Sequence, residues 1–158
     1  IYNNVFFVGE DINLHLFMWT PGGSGWATDT EVYNNVFYVE GIGRNSFGTG
    51  KKEVDDGTWL NKPGFGGAEN VVFERNVLYG NFEDIPGEWR ALSSDPEFVS
   101  PGSGESGFGS LGGYELKDAS PSIGGGVPVE NNGGRDFWGN PLPQSGAPSI
   151  GVHEPVRK

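Results

Sequence analysis

A short strand-forming unit with a pair of asparagines inside it recurs along this chain, and that repeat constrains the fold more than any other feature. Ile1-Tyr2-Asn3-Asn4-Val5-Phe6-Phe7-Val8 returns as Val32-Tyr33-Asn34-Asn35-Val36-Phe37-Tyr38-Val39, and more loosely as Val71-Val72-Phe73-Glu74-Arg75-Asn76-Val77-Leu78-Tyr79. Counted on the second Asn, the step from Asn4 to Asn35 is 31 residues and the step from Asn35 to Asn76 is 41. The extra residues fall in the Gly-rich stretch between Gly41 and Asn70. A constant strand unit joined by loops of variable length is how a solenoid accepts insertions.

Within the unit, β-branched and aromatic residues make two short strands, and the Asn pair lies between them. Asn tolerates left-handed backbone and can hydrogen-bond its own turn. If one unit stacks on the next, Asn4, Asn35 and Asn76 lie over one another about 4.8 Å apart, and their amides can bond up the stack. The alternative is three unrelated hairpins. It fits less well, because Asn-Asn followed directly by Val-Phe supplies no Gly for the second positive φ of a tight hairpin turn.

Composition agrees with short strands and many turns. The chain of 158 residues is one domain's worth, with 28 Gly and 11 Pro. That Gly and Pro content alone would fit disorder. The 13% aromatic content argues for a packed core instead. Alanine is scarce, and Gly or Pro interrupts nearly every long window, so long helices are not expected. A net charge of −11 disfavours nucleic acid and anionic lipid as partners. No apolar run approaches a membrane span. Cysteine is absent, so no disulfide or thiolate metal site is available. The chain starts inside the repeat pattern, with no initiator Met and no signal peptide. The first unit is therefore expected to stack on upstream coils, in the same polypeptide or in a companion chain.

The strand–Asn–strand unit resembles that of right-handed parallel β-helix proteins of the pectate-lyase-like type. The tail strengthens the likeness: Asp95-Pro96-Glu97-Phe98-Val99, Tyr114-Glu115-Leu116, Ser120-Pro121-Ser122-Ile123, Asp136-Phe137-Trp138-Gly139-Asn140-Pro141 and Ala147-Pro148-Ser149-Ile150-Gly151-Val152-His153-Glu154 follow in order. This succession is similar to the C-terminal end of many secreted bacterial β-helix proteins. The resemblance implies an all-β fold: parallel β-helix coils over 1–94, then an irregular C-terminal capping region over 95–158 of the same domain. On that template Ile12, Leu14, Leu16 and Met18 alternate inward, and Asn13, His15, Phe17 and Trp19 outward. Thr20 to Thr30 form a loop, and Glu31-Val32-Tyr33 opens the next strand. The outward strand of the second coil falls between Arg44 and Val54. From Asp95 onward the chain is expected to close the end of the stack.

The resemblance also implies a function: a secreted enzyme acting on polysaccharide, by lyase β-elimination or by hydrolysis, completed by upstream coils. The alternative is a non-catalytic glycan-binding or structural end of a surface protein such as an adhesin. Substrate in such proteins lies along the outward face of one parallel sheet, walled by loops. Here that surface would carry His15, Trp19, Arg44, Lys51 and Lys52, with Trp26, Asp55, Asp56 and Trp59 beside it. His15, Lys51, Asp55 and Asp56 are the candidates for proton transfer, since a base can take the proton α to a uronate carboxylate and two acids can hydrolyse a glycoside. Trp19, Trp26 and Trp59 could stack on sugar rings, and Arg44 and Lys52 could neutralise a carboxylate. Each has a plainer reading, as a solvated strand residue, an ordinary Asp-Asp-Gly turn or a tryptophan packed under a loop. Trp89 and Trp138 are assigned to the terminal packing layer. No cofactor is required. Loop carboxylates leave room for calcium, without a calcium-loop motif, and His15 and His153 lack metal-ligand spacing. There is no nucleophile elbow or phosphate loop.

Overall fold

The computed structural model describes residues 1–18, 28–46, 58–59, 69–83 and 91–156. Among these the fold is all-β, with seven strands and a single 3-10 helix at Phe108–Tyr114. The strands are β1 (Val5–Val8), β2 (Asn13–Met18), β3 (Thr28–Tyr33), β4 (Val36–Ser46), β5 (Thr58–Trp59), β6 (Glu69–Glu74) and β7 (Val77–Glu83). They form two open sheets whose principal pairings are parallel.

The repeat units lie one over another as three tiers. Val5, Val36 and Val77 are register partners, as are Phe6, Phe37 and Leu78, and then Phe7, Tyr38 and Tyr79. On the other side of the Asn pair, β3 runs parallel to β6, with Val32 opposite Phe73, and Tyr2 bridges to Tyr33. Beyond the bend, β2 pairs with the second half of β4, from Asn13 opposite Ile42 to Met18 opposite Ser46.

The two asparagines of the pair do different work. The first takes the left-handed conformation, with φ 54° at both Asn3 and Asn34, and Arg75 takes the same place in the third tier with φ 56°. Asn visits this region readily, whereas a long side chain is held there at a cost of roughly 1–2 kcal/mol. The second Asn is bonded in series. The Nδ2 of Asn4 donates to Asn35 Oδ1 at 3.0 Å, and the Nδ2 of Asn35 donates to Asn76 Oδ1 at 3.0 Å. Each of these oxygens also receives a backbone N–H from the Asn above it. Asn35 and Asn76 are fully buried, so these bonds satisfy amides that would otherwise be stranded.

Alternation along β1, β4 and β7 gives the sheet two apolar faces. One carries Phe6, Phe37, Val8 and Val39, where the Phe6 and Phe37 rings stack at 4.7 Å. The other carries Val36 and Val77, packed against Phe98, Leu116 and Ile150 of the terminal segment. Burying side chains of this size contributes about 1.5–3 kcal/mol each. The bend in the third tier depends on Gly80, whose φ is +107° and whose absent Cβ would collide with the Val39 carbonyl.

Several expectations need correction. Ile12 and Leu14 do not face a core: they are 50% and 45% exposed. Ile12 sits in the turn before β2, and Leu14 has Gly43, which has no side chain, as its register partner. The second-tier outward strand starts at Ile42, two residues earlier than expected, and β3 starts at Thr28 instead of Glu31. The described contacts of the terminal segment run sideways over the second face of the sheet rather than over the end of the stack. Gly151 donates to the Asn34 carbonyl, and the Asn34 amide exchanges two 2.8 Å bonds with the backbone of Val127. The physical reason is alternation: Val36 and Val77 point away from the inner core and need a cover of their own. Trp138 does lie in this terminal layer, edge-on to Phe137 and His153. Trp89 lies outside the described residues, as do Phe17, Leu16 and Met18 in their side chains.

Candidate functional site

Stacking in register turns residues far apart in sequence into rows. The row that bears on chemistry runs across β2, β4 and β7: His15 is the register partner of Arg44, and Arg44 is the register partner of Glu83. Arg44 Nε donates to Glu83 Oε2 at 2.7 Å, with the two side chains 41% and 54% exposed. At that exposure the pair adds little to stability, about 0–1 kcal/mol. Its consequence is orientation. The guanidinium is steered along the row, and among the described residues only its Nε, of the five donors it carries, is engaged by a side chain.

Of the candidates drawn from the sequence, His15 and Arg44 are thus brought to adjacent positions on one sheet. Nothing is described of the His15 side chain. Trp59 falls on β5, a two-residue strand antiparallel to β6, again without a described side chain. Trp19, Trp26, Lys51, Lys52, Asp55 and Asp56 lie outside the described residues. Glu83 was not foreseen. Its offset from the ladder Asn is the reason: His15 is 11 residues past Asn4, Arg44 is 9 past Asn35 and Glu83 is 7 past Asn76. Register shifts between Val39 and Gly43 remove the constant spacing that would have aligned them.

A second concave region lies between the first tier and the terminal segment. Its apolar part, about 370 Å³, is lined by Val5, Phe6, Phe7, Leu111, Phe137 and Trp138 among others. Its polar part, about 290 Å³, includes Asn3, Arg135, Asp136, His153 and Glu154. The polar groups there are mostly spent on holding the terminal segment. Asp136 accepts from the N–H groups of Trp138, Asn140 and Glu154 and from the Asn140 amide. Glu154 accepts from the Ser149 N–H, and His153 Nδ1 accepts from the Leu116 N–H. The Oδ1 of Asn3 and the Oγ of Ser149 are buried there without a hydrogen-bond partner among the described residues.

Three tyrosines carry perturbed hydroxyls. Burial, then the Glu31 carboxylate, pushes Tyr33 up from the ordinary value, and burial, then the charge on Asp95, does the same to Tyr38. Tyr79 is raised chiefly by the charge on Asp95, which also accepts its hydrogen bond. Tyr33 and Tyr79 donate to the carboxylates of Glu31 and Asp95, and in all three the protonated phenol is favoured.

Among the described residues no group of three or more His, Cys, Asp or Glu is placed to hold a metal ion, and no helix is long and apolar enough to cross a membrane. No protein-family model matches the chain, and no curated protein matches it.

Proposed function

We propose that residues 1–94 are coils of a right-handed parallel β-helix, completed by 95–158, in a secreted protein that degrades polysaccharide as a lyase or a glycoside hydrolase. The parallel register of units 31 and 41 residues apart supports the coils, because a strand meets a parallel neighbour only after the chain has come back round. The right hand is that of nearly all crossovers between parallel strands.

The observation that carries the functional reading is the row His15, Arg44, Glu83 on adjacent strands of one sheet. Strands are about 4.8 Å apart, so a glycan lying across them spans the Arg44 and Glu83 side chains and the register position of His15 within the length of a few sugars. Arg44 would hold a uronate carboxylate, and His15 would take or give the proton at the scissile linkage. Lys51, Asp55 and Asp56 are the further proton-transfer candidates. Trp19, Trp26, Lys52 and Trp59 would wall the polymer. Coils stacked before the first tier, in the same protein or in a companion chain, would supply the rest of the groove.

The test is to incubate the chain with polygalacturonate and follow both near-ultraviolet absorbance and new reducing ends. A lyase raises both, because β-elimination leaves an unsaturated uronate, and a hydrolase raises only the second. Arg44→Gln should cut either signal at least tenfold. Retention in a polygalacturonate affinity gel with neither signal would favour the second reading, a glycan-binding or structural end of a surface protein. That reading draws support from Arg44, whose charge is already met by Glu83. Neither turnover nor retention would sink the enzyme and the glycan-binding readings and leave the structural one.

A further inference from the structure

We propose that the slot between the free edge of β1 and the terminal segment receives one more extended strand, parallel to β1 and of the same apolar–Asn–apolar pattern. The proposal rests on the stacked-coil reading above. It is drawn from an asymmetry between the two ends of the stack.

At the third tier the edges are covered. β6 is paired by the antiparallel β5, and β7 is met by Leu92, which bridges to Val77 and exchanges backbone bonds with Asn76 and Leu78. At the first tier, β1 and β2 pair only with β4 among the described strands. Val36 donates its N–H to the Asn4 carbonyl, so Asn4 and Phe6 bond toward β4. In parallel pairing alternate residues face opposite neighbours, which points the N–H and C=O groups of Val5 and Phe7 outward into the slot. Native proteins seldom leave such an edge bare.

The amide ladder ends on the same side with an unused acceptor. Asn35 Oδ1 takes two N–H bonds from Asn4, and Asn76 Oδ1 takes two from Asn35. Asn4 sends its Nδ2 hydrogens to Tyr2 O and Asn35 Oδ1, and its own Oδ1 takes no bond among the described residues. An Asn one rung further would supply both missing donors.

Apolar surface completes the case. Ile1 is 61% exposed and Phe6 36%, whereas their counterparts Val32 and Phe37 in the next tier are nearly inaccessible. Phe6 stacks one ring face on Phe37 and lines the cavity. The wall of the slot, from Leu111, Phe137, Trp138 and Val152, belongs to the terminal segment, which in the second and third tiers covers Val36 and Val77. The occupant is therefore a strand from outside these residues, with an aromatic or aliphatic side chain over Phe6, an Asn over Asn4 and a Val-like residue against that wall.

A peptide of the sequence Glu31 to Val39, with lysines added at both ends for solubility and a fluorescent label, is the probe. Anisotropy should show saturable 1:1 binding to the full chain. Replacing the peptide's Asn that corresponds to Asn35 by Leu should weaken binding at least tenfold, and the bound peptide should slow hydrogen exchange of the Val5 and Phe7 amides. Absence of saturable binding, equal binding of the Leu peptide, or protection elsewhere would overturn the proposal. Self-association in sedimentation that protects Val5 and Phe7 and that the peptide cannot compete would reassign the edge to a second copy, and overturn it too. Exchange at Val36 and Val77 in the free chain separates the failures: slow exchange there with no peptide binding sinks the slot alone, and fast exchange sinks the stack with it. Neither readout depends on glycan turnover.

Discussion

Asn34 and Asn35 are adjacent in sequence, and each is fixed by different physics. Asn35 holds the ladder. Asn35→Leu would take the shared acceptor from the Asn4 N–H and side-chain amide and leave Asn76 Oδ1 with a single backbone donor. It would also remove the Nδ2 bonds to the Ile1 and Tyr33 carbonyls, and each net hydrogen bond lost costs about 0.5–1.5 kcal/mol. We expect a loss of about 3 kcal/mol or more in urea unfolding. Asn35→Asp should fail as well, because a carboxylate cannot donate to Asn76 Oδ1. Asn34 takes the left-handed turn and latches the terminal segment through Val127, so Asn34→Ala should cost about 2–4 kcal/mol. The third tier offers the opposite sign. Arg75 sits at φ 56° with its Nε buried and without a hydrogen-bond partner among the described residues, so Arg75→Asn should stabilise by about 1 kcal/mol. The ladder was legible from the Asn spacing alone. The latch was not, because nothing local to Asn34 reports a partner 93 residues away. The tyrosines add a pH dependence. Tyr33, Tyr38 and Tyr79 have folded pKa values raised above the unfolded one, so their contribution is complete below the unfolded value near 10 and is lost as pH rises through the folded values. Unfolding midpoints should hold from neutral to mildly alkaline pH and then fall. Tyr79→Phe, which removes the ionising hydroxyl, should make that fall shallower.

At the level of elements, the strands around the Asn pairs could be read because apolar alternation is strict on both sides of them. β2 could not be read in the same way. Its alternation is as regular, yet among the described strands Leu14 has only Gly43 for a register neighbour and stays half-exposed. Periodicity reports which side chains share a face and is silent on whether that face is covered. The same limit hid the double burial of the central sheet. Val36 and Val77 look like the outward positions of a one-sided sheet, and only the terminal segment turns them into core. Ile150 is the point of closest test, being fully buried between that segment and the sheet. Ile150→Ala should cost about 2–5 kcal/mol. Limited proteolysis should then cut the terminal segment before the tiers. Simultaneous loss of both would show that sheet and cover unfold as one unit. Arg44→Gln or Glu83→Gln, by contrast, should change stability by less than about 1 kcal/mol, since that pair is exposed. A larger loss in thermal unfolding would mean that the row is structural.

For the whole molecule, the acidic balance and the missing cysteines say little about the fold, and the repeat says most of it. Parallel stacking follows from identical units that each leave strand edges unsatisfied. The candidate site was legible only in part. Two of its row members, His15 and Arg44, stand out as sparse polar residues on strands, and Glu83 is concealed by the register shifts that change its offset from the ladder. Circular dichroism should show strand with almost no helix, since the one helical segment among the described residues is a short 3-10 turn. The most direct test of the stacked arrangement is solution NMR of the asparagine side-chain amides. Parallel tiers in this register predict nuclear Overhauser contacts from Asn4 Nδ2H to Asn35 and from Asn35 Nδ2H to Asn76, with slow exchange of the Asn35 and Asn76 amides. Fast-exchanging side-chain amides, with contacts confined to residues near in sequence, would contradict the stack and return the three units to separate hairpins.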